Sequence, residues 1–122
     1  MTDQPNQRRV LFIEDEPALR ISYERFFRPR YAMAFASSGA EAMARLAEEP
    51  PDVVVLDMRL PDTDGVELLR RIRDARPDVP VIITTAYVSV EPQLRVLDLA
   101  HSAYLIKPFD LNELGAAIDR AG

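Results

Sequence analysis

The fold of this chain is decided by the stretch Asp52-Val-Val-Val-Leu-Asp57-Met-Arg-Leu-Pro61-Asp-Thr-Asp-Gly65. A short apolar run ends there in a carboxylate, and turn-forming residues follow before a helical pattern resumes. Such a run, bounded by turn signals, is typical of a fully buried strand in a parallel sheet. Ligands of an open α/β sheet bind beyond the carboxyl ends of its strands, so Asp57 is the first candidate for a functional residue.

Four further apolar runs, at residues 10–13, 31–36, 81–83 and 103–106, also predict strands. Each of the five predicted strands precedes a segment with helical spacing, which implies parallel strands, right-handed crossovers and helices on both faces. We therefore expect a (βα)5 doubly wound α/β domain, a flavodoxin-like three-layer sandwich with a five-stranded parallel sheet in the order 2-1-3-4-5. The apolar helix positions are Leu19, Tyr23, Phe26 and Phe27; Met43, Leu46 and Ala47; Leu68, Leu69 and Ile72; Val90, Leu94 and Leu97; and Leu111, Leu114 and Ile118.

Prolines and small polar residues mark the starts of these helices. Pro17 suits a first helical turn, and Ser37 or Ser38 can cap the second helix. Ser89 can do the same for the fourth helix, and Asp110 with Glu113 three residues later is similar to a capping box. With the helix starts at these residues, the predicted connections between strands and helices are all short.

Composition narrows the class of protein. The 122 residues fit one domain, and a hydrophobic content of 48% argues against disorder. A net charge of -5 argues against the basic surface that nucleic-acid binding requires. The absence of cysteine excludes disulfides and suits a cytoplasmic location, and no stretch approaches the ~20 apolar residues of a membrane span. We expect an acidic cytoplasmic domain that binds neither nucleic acid nor membrane by itself.

Charged and hydroxyl side chains follow four of the predicted strands. Parallel strands deliver all of them to one edge of the sheet, where the carboxylates repel one another unless positive charge is nearby. One ammonium group is available, and Mg²⁺ is the expected second charge because it prefers oxygen ligands and retains several waters. An ionised aspartate, a metal, a lysine and a hydroxyl are the components of phosphoryl transfer, with an aspartyl phosphate on Asp57 as product. The converging residues are Glu14, Asp15, Asp57, Thr85 and Lys107.

These motifs resemble the receiver domains of two-component response regulators. The resemblance runs from Val10 to about Arg120, and it rests on Val10-Leu-Phe-Ile-Glu-Asp-Glu, Asp57, Pro61 with Gly65, Thr85-Ala86 and Lys107-Pro108. It implies a receiver domain over residues 8–121, preceded by a disordered or extended tail at residues 1–7. The sequences around Asp57 and Lys107 look most like those of receiver domains attached to transcription factors, including the enhancer-binding type.

The resemblance also implies a role for each site residue. Asp57 is the expected phosphoacceptor, and Lys107, before a cis peptide bond to Pro108, would bind the acyl phosphate together with Thr85. Thr85 and Tyr104 would form the switch. The implied magnesium ligands are Asp15, Asp57, the backbone carbonyl of Arg59 and, through water, Glu14; Arg59 and Tyr87 would tune the lifetime of the phosphoryl group.

The implied function is a phosphorylation-activated switch that catalyses only its own phosphorylation and dephosphorylation. The phosphoryl donor would be the phosphohistidine of a sensor histidine kinase or phosphotransfer protein. Phosphorylation would change the surface of the fourth helix, fifth strand and fifth helix, where a partner or a second copy would dock. Three positions depart from the family pattern: Glu14 stands where Asp is usual, and Ala100-His101 stands where Gly-Ala is usual.

Three alternatives compete with this interpretation. A phosphatase of the haloacid dehalogenase type also uses a strand-end Asp. Resemblance to that family would require a second Asp two residues on, where this chain has Arg59. A flavodoxin has the same fold, but the Glu14-Asp15-Glu16 run would repel the FMN phosphate. A receiver used only as a phosphorylation-independent docking module stays open.

Single residues also have simpler explanations. The acidic run at Glu14 could be a solvated helix start, and Tyr104 could be ordinary core packing. His101 is expected at the surface, and the arginines at 70, 71, 73 and 76 are expected on a solvated helix face.

Overall fold

The computed structural model describes residues 7–86 and 103–121. The predicted fourth helix lies outside these residues, and so do Tyr87, Ala100, His101 and all of the predicted tail except Gln7. Across the described residues, every helix is too short or too polar to span a bilayer.

The sheet has the predicted architecture. Its strands are β1 (Arg9–Ile13), β2 (Ala32–Ala36), β3 (Val53–Asp57), β4 (Val81–Thr85) and β5 (Ala103–Ile106). All are parallel, in the order β2-β1-β3-β4-β5. In the register of β3 and β4, Asp57 lies opposite Thr84, so the last residues of the central strands reach the same edge.

Helices cover both faces of this sheet. They are α1 (Pro17–Phe27), α2 (Gly39–Glu48), α3 (Gly65–Ala75) and α4 (Leu111–Arg120), the last being the fifth helix expected from the sequence. Ser38 rather than Ser37 caps α2, through a side chain that accepts from the backbone N–H of Glu41. Asp110 caps α4, but its side chain accepts from the N–H of Asn112 instead of Glu113. Local sequence therefore predicted where the helices begin better than which amide each cap receives.

The sheet separates two hydrophobic cores of different composition. Alternate residues of each strand point to opposite faces, so Val54 and Leu56 of β3 join one core while Val53 and Val55 join the other. The core under α2 and α3 is almost wholly aliphatic, whereas the core under α1 and α4 is rich in aromatic rings. Its buried aromatic residues are Phe12, Tyr23, Phe27 and Tyr31.

The first predicted helical stripe is wrong at one position. Tyr23 and Phe27 are buried in the aromatic core, but Phe26 is 41% exposed and meets Phe27 edge-on. Phe26 and Phe27 are adjacent in sequence and therefore about 100° apart around the helix. The buried face is centred on Phe27, and Phe26 lies at its border.

A charged cluster lies beyond the opposite end of the sheet from the strand-end carboxylates. Tyr31, which precedes β2, donates its hydroxyl to Asp119 Oδ1 at 2.6 Å and to the carbonyl of Gly115 at 3.3 Å. Arg30 forms an ion pair with the same Asp119. Arg8 donates to the carbonyl of Ala121 at 2.6 Å. These contacts, named here the Asp119 cluster, fasten the end of α4 to the segments that begin β1 and β2.

Candidate functional site

Four strands deliver polar side chains to one cavity of about 560 Å³. Glu14 and Asp15 follow β1, Asp57 ends β3, Thr85 ends β4 and Lys107 follows β5. The structure therefore brings together the residues that the sequence placed at a common edge of the sheet. The cavity is lined by Glu14, Asp15, Glu16, Asp57, Met58, Arg59, Leu60, Pro61, Thr85, Ala86 and Lys107.

Lys107 joins two carboxylates from different strands. Its Nζ lies 3.2 Å from Glu14 Oε1 and 3.4 Å from Asp57 Oδ1. The peptide bond to Pro108 is cis, as the resemblance implied. The backbone N–H of Lys107 also donates to the carbonyl of Thr85 at 2.7 Å, which fixes the start of this segment against the end of β4.

Glu14 is the most confined acid of the group. It is 2% exposed and Asp57 is 4% exposed, whereas Asp15 faces solvent. Burial and, after it, the charge of Asp57 together raise the pKa of Glu14 to about 7, because Lys107 opposes these effects only in part. Sequence reasoning gave Glu14 a water-mediated place at the metal; in the structure its direct partner is Lys107.

The pKa of Lys107 also departs from its ordinary value. Partial burial disfavours the ammonium form, but the charges of Asp57 and Glu14 outweigh burial and raise the pKa. Lys107 is therefore a permanent cation at neutral pH, positioned between the acids rather than available as a base.

Three carboxylates of the site could hold a metal ion together. Oxygen atoms of Glu14, Asp15 and Asp57 lie within 4.8 Å of one another. A donor set made only of oxygen fits a hard divalent cation such as Mg²⁺. One lysine does not neutralise three acids, so the charge balance also favours a cation. The residues present therefore fit the expected metal.

The segment after Asp57 folds back tightly on the strand. Arg59 donates its backbone N–H to Asp57 Oδ1 at 3.4 Å, and Gly65 donates to the carbonyl of Met58 at 3.0 Å. A Cβ on Gly65 would lie 2.5 Å from the Met58 Cα, so this approach requires glycine. The backbone of Arg59, the expected carbonyl ligand, is thereby kept beside the phosphoacceptor candidate.

The two expected switch residues lie in different surroundings. Thr85 is buried at the wall of the cavity. Tyr104 is half-buried in β5, opposite Ile83, and packs against the aliphatic core rather than lining the cavity. Tyr104 thus lies beside the β4 residue that comes two positions before Thr85, and the switch role of the pair stays a prediction.

Sequence reasoning missed Asp62. Its carboxylate accepts from two backbone N–H groups at the start of α2, which is 22 and 23 residues away in the chain. An acid in a turn is ordinarily solvated, and no local sequence pattern predicted this contact.

Comparison with known proteins decides the family. The family model described as response regulator receiver domain matches residues 10–119. The chain belongs to this family. The receiver domain is 38% identical over 111 residues to the response regulator MprA of Mycobacterium leprae, covering 90% of this chain and 49% of that protein. It thus spans about half the length of this curated relative.

Solved structures agree with the assignment. A CheY-like response regulator receiver domain protein from Methanospirillum hungatei superposes with a TM-score of 0.84 at 28% identity, over 93% of this chain and 92% of that one. The receiver domain of the sensor histidine kinase PA1611 from Pseudomonas aeruginosa has a TM-score of 0.82 at 28% identity, over 93% and 96%. That structure holds a magnesium ion in its active-site cleft. This chain is therefore a receiver domain of the two-component class rather than a phosphatase of the haloacid dehalogenase type or a flavodoxin.

Proposed function

We propose that this receiver domain, over residues 8–121, accepts a phosphoryl group on Asp57 from the phosphohistidine of a histidine kinase or phosphotransfer protein. The observation that supports the proposal most strongly is the position of Lys107 Nζ, 3.4 Å from Asp57 Oδ1 at the wall of an acid-lined cavity. This arrangement places the Asp57 carboxylate at the cavity with a fixed cation beside it. It suits an acceptor that needs no general base.

The reaction exchanges one bond to phosphorus for another. A carboxylate oxygen of Asp57 attacks phosphorus, the bond from phosphorus to the histidine nitrogen breaks, and the imidazole leaves as it takes up a proton. Lys107 contacts Asp57 and would also bind the equatorial phosphoryl oxygens, and the Thr85 hydroxyl is the proposed second donor. Bound Mg²⁺ would supply Lewis-acid stabilisation of the phosphoryl oxygens. Its proposed ligands are Asp15, Asp57 and the carbonyl of Arg59, with Glu14 in the water-mediated position.

Phosphorylation would act through Thr85 and Tyr104. Movement of Thr85 toward the phosphate would vacate space beside β4, and Tyr104 would turn inward to fill it. A switch needs an element with two arrangements that the ligand distinguishes. The surface of the predicted fourth helix, β5 and α4 would change, and we propose it as the docking surface for a partner or a second copy.

The acceptor is tested by incubation with acetyl phosphate and Mg²⁺, followed by intact mass spectrometry. The wild-type chain should gain one phosphoryl group, and Asp57→Asn should gain none. Asp78→Asn, which changes an exposed acid after α3, is the matched control and should still be modified. An unmodified wild-type chain would instead support the phosphorylation-independent docking module.

A further inference from the structure

The loop between Asp57 and α3 is fastened to the start of α2. Asp62 Oδ1 accepts from the backbone N–H of Gly39 at 2.7 Å, and Asp62 Oδ2 accepts from that of Ala40 at 3.0 Å. The first N–H groups of a helix have no partner within the helix. The hydrogen bonds from Gly39 and then Ala40 lower the pKa of Asp62, so the carboxylate is ionised at neutral pH.

The same contact is close as well as polar. A Cβ on Gly39 would lie 2.6 Å from Thr63 Cγ2, so a side chain at position 39 would push the loop away. Ser38 independently accepts from the N–H of Glu41 at 3.1 Å. The helix therefore has its own cap, and Asp62 adds a bond between two segments rather than replacing that cap.

The other end of the loop is fastened to α3. Asp64 Oδ1 accepts from the N–H of Glu67 at 2.8 Å and caps α3. Arg59 and Asp64 form an antiparallel bridge. In the chain, Arg59 thus lies between Asp57 and two acids, Asp62 and Asp64, that accept hydrogen bonds from the first turns of α2 and α3.

We propose that Asp62 is a positioning residue for the cation site, which holds the backbone of Arg59 in its ligand position by tying the loop to α2. The inference rests on the proposed function, because it assigns the Arg59 carbonyl to Mg²⁺. Coupling between two sites is reciprocal. A loop arrangement that favours the cation is therefore itself stabilised when the cation binds, and the first turn of α2 becomes more ordered.

Isothermal titration of the full chain with MgCl2, without a phosphoryl donor, measures the first consequence. Asp62→Ala should weaken Mg²⁺ binding by about 3- to 30-fold. Asp62→Asn keeps one acceptor oxygen and should weaken it less. Asp74→Ala removes an exposed acid from α3 and is the control for net charge, with affinity close to wild type. Equal weakening by Asp62→Ala and Asp62→Asn would mean that Asp62 acts only through its charge, which overturns the inference.

Amide hydrogen exchange supplies a readout that does not depend on phosphorylation. Mg²⁺ should slow exchange at Gly39 and Ala40 in the wild-type chain and leave both amides fast in Asp62→Ala. If wild type and Asp62→Ala bind Mg²⁺ equally well, the inference fails while the proposed function stands. If the wild-type chain binds no Mg²⁺, both the inference and the proposed cation fail.

Discussion

The carboxylates at the two ends of the sheet are balanced in different ways. At the functional end, Lys107 contacts Glu14 and Asp57, and a carboxylate oxygen of Asp15 lies within 4.8 Å of theirs, so three acids share one cation. At the other end, Asp119 receives both the Tyr31 hydroxyl and the Arg30 guanidinium. The Asp119 cluster is complete by itself, whereas the site gains from a further proton or cation. Incomplete charge balance therefore distinguishes the site for ligand binding from the structural contact.

The pKa values of Glu14 and Asp119 shift in opposite directions, because their charges are balanced to different extents. The pKa of Glu14 is raised, mainly by burial. Slight burial of Asp119 opposes its charged form, but hydrogen bonds from Tyr31 and Arg30 outweigh burial and lower the pKa. Deprotonation of Glu14 costs stability as pH rises, whereas protonation of Asp119 costs stability as pH falls below the usual aspartate range.

The largest expected effect is a loss of stability of the magnesium-free protein between pH 5 and pH 8. The folded chain keeps a proton on Glu14 up to about pH 7, whereas the unfolded chain releases it near 4.5. Stability is full below the lower value and falls as pH rises through the higher one, by up to about 3 kcal/mol. Urea unfolding in EDTA, followed by far-UV circular dichroism at several pH values, measures the change.

Glu14→Gln should remove most of that pH dependence and leave the chain more stable than wild type at pH 8. Glu48→Gln changes an exposed glutamate of α2 and should keep the wild-type slope. The pKa of Asp119 is lowered by its hydrogen bonds from Tyr31 and Arg30, so this acid stays ionised across this pH range. A wild-type chain whose stability is flat from pH 5 to pH 8 would contradict the charge imbalance at the site.

The next largest effect concerns Mg²⁺ binding, and it tests which acid is the direct ligand of the ion. Asp15 is exposed at the cavity, whereas Glu14 is engaged by Lys107. Asp15→Asn should therefore weaken Mg²⁺ binding by at least about tenfold, and Glu14→Gln should weaken it less. Titration calorimetry at pH 8 measures both, with Asp119→Asn as an acid-to-amide control away from the site. Equal losses for Asp15→Asn and Glu14→Gln would reverse the assignment of the direct ligand.

The smallest effect tests whether the Asp119 cluster is purely structural. Tyr31→Phe removes the hydroxyl that donates a hydrogen bond to Asp119, and it should cost about 1 kcal/mol of unfolding free energy. Tyr23→Phe is the matched control, because the buried Tyr23 hydroxyl has no hydrogen-bond partner among the described residues. It should not lower the free energy of unfolding, because it removes a buried hydroxyl that was desolvated without gaining a hydrogen bond among those residues. A larger loss in Tyr23→Phe than in Tyr31→Phe at pH 7 would show that the hydrogen bond is not what stabilises this end.

The sequence was sufficient for the features that depend on repeated local patterns. The run before Asp57 predicted a buried strand, and the alternation of strands and helices predicted a doubly wound fold whose commonest strand order is the one observed, β2-β1-β3-β4-β5. Parallel strands share one direction, so their terminal side chains were expected to meet, and Lys107 does lie beside Asp57. No side-chain geometry was needed for these predictions.

What the sequence did not predict depends on tertiary distances. Spacing placed Glu14 and Asp57 at one edge but did not show that the closer carboxylate to Lys107 is Glu14. The contact between Asp62 and Gly39 joins the loop after β3 to the first residue of α2, which is 23 residues away in the chain. Helical periodicity could not choose between neighbouring Phe26 and Phe27, because either could centre the buried face.

The separation of the two cores by the sheet has a spectroscopic consequence. The chain has four tyrosines and no tryptophan. Tyr23 and Tyr31 belong to the aromatic core, whereas Tyr104 packs against the aliphatic one. In a chain carrying Tyr23→Phe, Tyr31→Phe and Tyr87→Phe, tyrosine fluorescence would come only from Tyr104. Emission from that variant would therefore report optically, without any attached dye, on the side of the molecule where the switch is proposed.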